Sequence, residues 1–152
     1  MEDRTFYYLI DLPTKSYSKK PEVRKITPHS PIEVRKYIEQ FARYFLREMH
    51  FGGVQFEAAE GPNSIGYRPY VAYLLGAEDR YIGGACFRFR DDQSLDHPWI
   101  LDWVWLHPYF RRRGHLLLAW PEITQAHGAF RIAKPISHAM EGFLASVKYE
   151  AP

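Results

Sequence analysis

Residues 99–116 read Trp-Ile-Leu-Asp-Trp-Val-Trp-Leu-His-Pro-Tyr-Phe-Arg-Arg-Arg-Gly-His-Leu. Trp99 to Leu106 is rich in aromatic and β-branched residues, which predicts a strand, and Pro108 lies just past its end. A basic loop from Pro108 to Gly114 follows, and from His115 to about His127 the chain is apolar with a helical period. Backbone N–H groups at a helix start, backed by the positive end of the helix dipole and flanked by Arg111, Arg112 and Arg113, make a ready site for a phosphate. The loop is not a P-loop, since G-x-x-x-x-G-K-[ST] is absent. It is not a dinucleotide fingerprint either, since G-x-G-x-x-G is absent.

Strand alternation places Trp99, Leu101, Trp103 and Trp105 on one face, a core face, with Asp102 on the opposite one. A carboxylate in so apolar a run is expected to be desolvated, which raises its proton affinity and makes Asp102 the candidate general base; a structural carboxylate paired with an arginine or capping a backbone is the equal alternative. Downstream, Pro121 is expected to kink or divide the helix. Gly128 ends it, Ala129 to Lys134 reads as a strand, and Ser137 can cap a last helix running to about Val147.

Upstream, Tyr70 to Leu75 and Arg80 to Arg90 are strand-like runs separated by Gly76, Ala77, Glu78 and Asp79, the pattern of an antiparallel hairpin. Gly83 and Gly84 would weaken the second run unless the backbone bulges or is closely approached there. Asp91 to Pro98 reads as a turn and Val54 to Arg68 as a connecting loop. Ser30, Pro31 and Glu33 predict a helix start with a capping box, and Val34, Tyr37, Ile38, Phe41, Ala42, Phe45, Leu46 and Met49 carry its apolar face to the stop at Gly52 and Gly53. Thr5 to Ile10 reads as a first strand. Residues 14–29, polar and basic with Pro21 and Pro28, read as a surface loop.

With 152 residues, 46% hydrophobic and 16% aromatic, the chain fits a single domain over 1–152 that can bury a core without metal or disulfide. The net charge of +2 falls short of a dedicated nucleic-acid binder. Charge is uneven: +3 over residues 1–50, −3 over 51–100 and +2 over 101–152. The one cysteine, Cys86, excludes an internal disulfide, and with no apolar run of membrane-spanning length a cytoplasmic protein with no membrane partner is expected. The seven histidines show no metal-ligand spacing, so no metal is expected.

These residues resemble the GCN5-related N-acetyltransferases, the GNAT family, whose pyrophosphate loop [RQ]-x-x-G-x-[GA] follows a strand ending in an apolar-x-Pro step. Leu106, His107 and Pro108 match that step, Arg111 and Gly114 match the loop, and Leu116 departs from its last position. Ala129 to Lys134 and Ser137 to Tyr149 resemble the family's fifth strand and fourth helix. Ser137 stands where the family often has asparagine, and Leu144 stands where it often has a thiolate-protonating tyrosine. The resemblance implies an α/β fold with a mixed, mainly antiparallel sheet flanked by helices and a shortened C-terminal end.

It also implies direct transfer of an acyl group, with acetyl-CoA as co-substrate, to a primary amine on a protein or small molecule. Arg111, Arg112, Arg113, Gly114, His115 and Leu116 would hold the coenzyme. Backbone N–H groups near Val104 to Leu106 would hold the oxyanion if the strand splays there. Asp102 is the expected base, with Ser137, His138 and Tyr149 the candidates for proton donor. The chain stops three residues past Tyr149, short of the family's final strand pair, so the acceptor groove is expected either to be open to a macromolecule or to be filled by a second copy of the chain, as a homodimer, or by residues 14–29. Two other readings stay open: a non-catalytic acyl-CoA-binding or interaction module of the same fold, and an acyltransferase acting on aminoacyl-tRNA.

Overall fold

A computed structural model describes residues 11–49, 69–90, 97–134 and 136–152. The expected strand at Thr5 to Ile10, the helix stop at Gly52 and Gly53, the loop at Val54 to Arg68 and most of the turn after Arg90 lie outside these residues. The order is β1 (Thr14–Ile26), α1 (Ile32–Met49), β2 (Tyr70–Phe89), β3 (Trp99–Leu106), a short 3-10 turn (Pro108–Phe110), α2 (His115–Thr124), β4 (Arg131–Ile132) and α3 (His138–Ser146). The sheet order is β1-β2-β3-β4, with antiparallel pairing except between β3 and β4. No helix among the described residues is long and apolar enough to cross a membrane.

Twenty extended residues would span roughly 65 Å, far more than the width of a domain of this size. β2 doubles back instead. The Phe89 N–H donates to the Pro69 carbonyl at 3.0 Å, and a Cβ on Gly84 would lie 2.8 Å from the Tyr73 carbonyl oxygen. The two expected runs therefore face each other, with Glu78 at the tip in the left-handed region at φ 55°. The first limb pairs with β1 and the second with β3.

The loop expected over residues 14–29 is instead β1 through Ile26. It is an edge strand, mostly exposed, whose register shifts twice between Thr14 and Glu22. Lysines and Pro21 on such an edge protect it from pairing with another chain, and they also erase the apolar alternation that would mark a strand in the sequence. Lys15 lies over Gly76, donates to the Ser16 and Glu78 carbonyls and pairs with Glu22 at 2.9 Å, which satisfies its buried ammonium.

α1 starts one residue later than expected, the Pro31 carbonyl accepting its first bond from Arg35. The capping box does not form. Ser30 Oγ accepts from the Thr27 N–H and the Glu33 carboxylate accepts from Tyr37 Oη. Val34, Ile38, Phe41 and Ala42 of α1 pack on one sheet face with Ala72, Leu74, Cys86, Trp103 and Trp105. On the other face, Ala119 and Ile123 of α2 pack with Tyr73, Ile82, Ala85, Phe87 and Leu101.

That division corrects the single tryptophan face. Trp103 and Trp105 lie beneath α1, whereas Trp99 and Leu101 belong to the core beneath α2. The cause is a bulge: Cys86 pairs with Trp103 but Phe87 pairs with Leu101, leaving Asp102 as the extra residue in β3. In β2, Ile82 and Ala85 share one face, so alternation also slips at Gly83 and Gly84. A Cβ on Gly83 would press on the Trp105 carbonyl oxygen and lie 2.8 Å from Leu106 Cα, which is the close approach expected of this pair.

α2 is not divided at Pro121. The Gln125 N–H still donates to the Pro121 carbonyl, and the bond Pro121 cannot make falls on the exposed side beside Leu117. The strand expected over 129–134 shrinks to β4, paired with β3 at Ile100 and Leu101. Ser137 caps α3 by accepting from the Met140 N–H at 3.1 Å.

Candidate active site

After the Ala133 N–H donates to the Leu101 carbonyl, the chain leaves β3, which runs on from Asp102 to Leu106 with no strand of the described residues beside it on that side. This splay opens a small, shallow cleft. Phe45 of α1 and Trp103 wall one side, Ile136 and Met140 the other, and Asp102, Val104 and Ser137 also line it. The His107 N–H donates to the Ile82 carbonyl, so alternation turns Trp105 and Trp103 toward β2 and the N–H groups of Val104 and Leu106 toward the free edge.

Asp102 does not sit alone in the apolar strand: it has the arginine partner of the alternative reading. Arg88 of β2 lies against it, Nε on Oδ2, because a carboxylate at this depth needs a partner charge. Ser137 Oγ, occupied as an acceptor by Met140, keeps its hydroxyl proton for donation. Asp102, Val104 and Ser137 thus share one cleft. Tyr149 does not join them: its hydroxyl donates to the Phe130 carbonyl at 2.6 Å, its ring packs on Phe130, and burial pushes its pKa up. His138 is fully exposed on α3 beside Glu141. Leu144 is buried.

At the far end of β3, Gly114 opens α2 at φ 84°, a left-handed conformation with open space where a Cβ would stand. The first N–H bonded along the helix is that of Leu118, to the Gly114 carbonyl, so the amides of His115, Leu116 and Leu117 point out of the helix start. Arg112, also left-handed at φ 61°, and Arg113 are exposed, with Arg113 over the Tyr109 ring at 4.2 Å. Leu116 packs against the core beneath α2. His115 is held below its usual pKa by burial and by Arg113.

Arg111 differs from its neighbours. Its Nε donates to the Leu106 carbonyl at 2.8 Å and its Nη2 pairs with Glu48 of α1 at 2.8 Å. The side chain is a brace between loop, strand and helix. Glu48 and Arg88 were missed by sequence reasoning. Neither carries a motif, and each matters only through a partner distant in sequence or displaced by a bulge.

Among the described residues, no group of three His, Cys, Asp or Glu is placed to hold a metal ion. A mainly antiparallel sheet whose third strand bulges and then splays from a short parallel partner, with a helix starting just past its end, is the GNAT acetyltransferase fold. Solved structures share it. An aminoglycoside acetyltransferase from an uncultured soil metagenomic sample matches with TM-score 0.55 and 15% identity over 88% of this chain and 92% of its own. A probable acetyltransferase matches at 0.52 and 19%, over 85% and 91%. A GNAT family acetyltransferase from Streptococcus pneumoniae matches at 0.50 and 16%, over 86% and 88%. No protein-family model and no curated protein matches the sequence.

Proposed function

We propose that the chain is an acyl-CoA-dependent N-acyltransferase, with acetyl-CoA as donor and a primary amine, on a small molecule or a protein, as acceptor, working in the cytoplasm. The observation that carries this reading is the placement of two features on one strand: the splay cleft at Asp102 and Val104, and the α2 N-terminus just beyond Leu106. Gly114 leaves space at the helix start, and Leu116 turns its bulk into the core, so the loop accepts a pyrophosphate despite its departure from the family pattern.

In this reading the amides of His115 and Leu116 and the exposed Arg112 and Arg113 hold the phosphates. Val104 and Leu106 offer N–H groups along the free edge, where the thioester oxygen gains charge during attack. Asp102 takes, through water, the proton the acceptor ammonium must lose. The C–N bond then forms, the C–S bond breaks, and Ser137 stands in the cleft to relay the second proton lost by the nitrogen to the departing sulfur. From an ammonium acceptor, one proton is released to solvent overall.

Isothermal titration with CoA and acetyl-CoA, on wild type and Gly114→Trp, tests the reading. Wild type is expected to bind both and the variant neither, and absence of wild-type binding removes the proposal. The buried Leu144 and the committed Tyr149 hydroxyl favour a second reading, an acyl-CoA-binding module without turnover. Tight CoA binding with no thiol release over a panel of amines and basic peptides selects it.

A further inference from the structure

We infer that Arg88 is a positioning residue for this site, holding the Asp102 carboxylate ionised at the wall of the cleft. Its chemistry rests on the ion pair, and its purpose rests on the acyltransferase reading above.

Three observations converge. Asp102 is the bulged residue of β3, set between Trp103, which faces α1, and Leu101, which faces α2. It lines the cleft. Among the described ion pairs, Arg88 and Asp102 are the one in which both side chains are most nearly buried, 11% and 17% exposed, against 30% and 24% for Arg111 and Glu48. A bulge costs ladder hydrogen bonds and a buried ion pair costs desolvation, so neither is explained by stability alone.

Burial by itself favours the protonated form of a carboxylate, and a cation beside it favours the ionised one. A protonated Asp102 would neither attract an ammonium acceptor nor receive its proton. Cys86 on β2 stays a thiol, its pKa raised by burial and then by the Asp102 charge. α1 presents Phe45, and the segment from Ile132 to Met140 presents apolar side chains and Ser137. Arg88 is the cation set against the carboxylate, and its guanidinium stays charged throughout the working range.

The test is a carbon-13 NMR titration of aspartate-labelled protein, with the Asp102 carboxyl resonance assigned by its loss in Asp102→Asn. Wild type is expected to show no titration of this resonance between about pH 5.5 and 8.5. Arg88→Met is expected to bring a midpoint into that range, at least about one unit above the wild-type value, and Arg88→Lys to restore the ionised form. Arg88→Gln replaces Arg88→Met if the latter does not fold. A neutral variant whose Asp102 titrates as in wild type overturns the inference. CoA titration on the same samples keeps the two ideas apart. Loss of wild-type CoA binding removes the acyltransferase reading and leaves the ionisation result standing, whereas normal CoA binding with an unshifted Asp102 removes the role of Arg88 alone.

Discussion

Arg111 reaches from the loop before α2 to Glu48 near the end of α1, 63 residues earlier, and fixes both to the carbonyl of Leu106. The first arginine of the triplet is therefore an internal strut, with its guanidinium also 5.9 Å from the centre of the Trp105 ring. Its two neighbours are exposed on the surface, Arg113 lying over the Tyr109 ring. One run of three like residues thus divides into a structural part and a part available to a ligand.

Arg111→Met is expected to destabilise the protein by about 1–2 kcal/mol, since it removes a half-buried charge-assisted pair and a bond to a backbone carbonyl. A double-mutant cycle with Glu48→Gln, read by urea denaturation, should give a coupling energy of about 0.5–1 kcal/mol. A coupling near zero would show that the strut does not hold the loop.

Glycines at two positions make opposite predictions. Gly83→Ala drives a Cβ into the Trp105 carbonyl and Leu106 backbone, neither of which can swing aside, so a loss of about 2–4 kcal/mol is expected. Gly142 is exposed within α3, with nothing within 4 Å of a Cβ. Gly142→Ala should raise stability by about 0.5–1 kcal/mol through helix propensity. Thermal melts of the two variants against wild type check both signs.

Patterns that depend on neighbours in sequence were legible, and those that depend on neighbours in space were not. Trp99–Leu106, the hairpin limbs, α1 with its buried Val34, Ile38 and Phe41, and the Ser137 cap all follow from local composition and period. The tryptophan face failed because one extra residue at Asp102 inverts every later side chain, and nothing in the strand's composition marks a bulge. β1 failed because an edge strand has little core to face, so its lysines looked like a loop. The helix start at Gly114 was legible, whereas the difference between a half-buried Arg111 and an exposed Arg112 depends on where Glu48 comes to lie.

His127 gives the fold a pH dependence of defined sign. It is stacked on Phe87 at 4.0 Å, its Nε2 meets Tyr73 Oη at 2.8 Å, and burial, with a further push from Lys25, lowers its pKa to about 4. Folded His127 is neutral, whereas the unfolded chain takes up the proton near pH 6.5, its usual value. Stability from this group is therefore complete above about 6.5 and is lost as pH falls toward about 4, with a cost on the order of 2 kcal/mol. His127→Phe should flatten the fall in melting temperature between about pH 7 and 5 relative to wild type. An unchanged slope would show that His127 is not the group responsible.

The exposed arginines carry the sharpest prediction for the proposed coenzyme site. Arg112→Ala and Arg113→Ala should each weaken CoA binding about three- to tenfold at low ionic strength, the effect of losing one solvent-exposed charge beside a phosphate. Because both side chains lie in water, the difference from wild type should shrink as salt rises and the Debye length falls below about 10 Å. Arg111→Met should behave differently: its loss in affinity comes from a loosened loop and should persist at high salt. Isothermal titration at two salt concentrations separates these outcomes. If Arg112→Ala and Arg113→Ala bind CoA as tightly as wild type at low salt, neither arginine contacts a phosphate. The α2 start would then have to act through the amides of His115 and Leu116 alone.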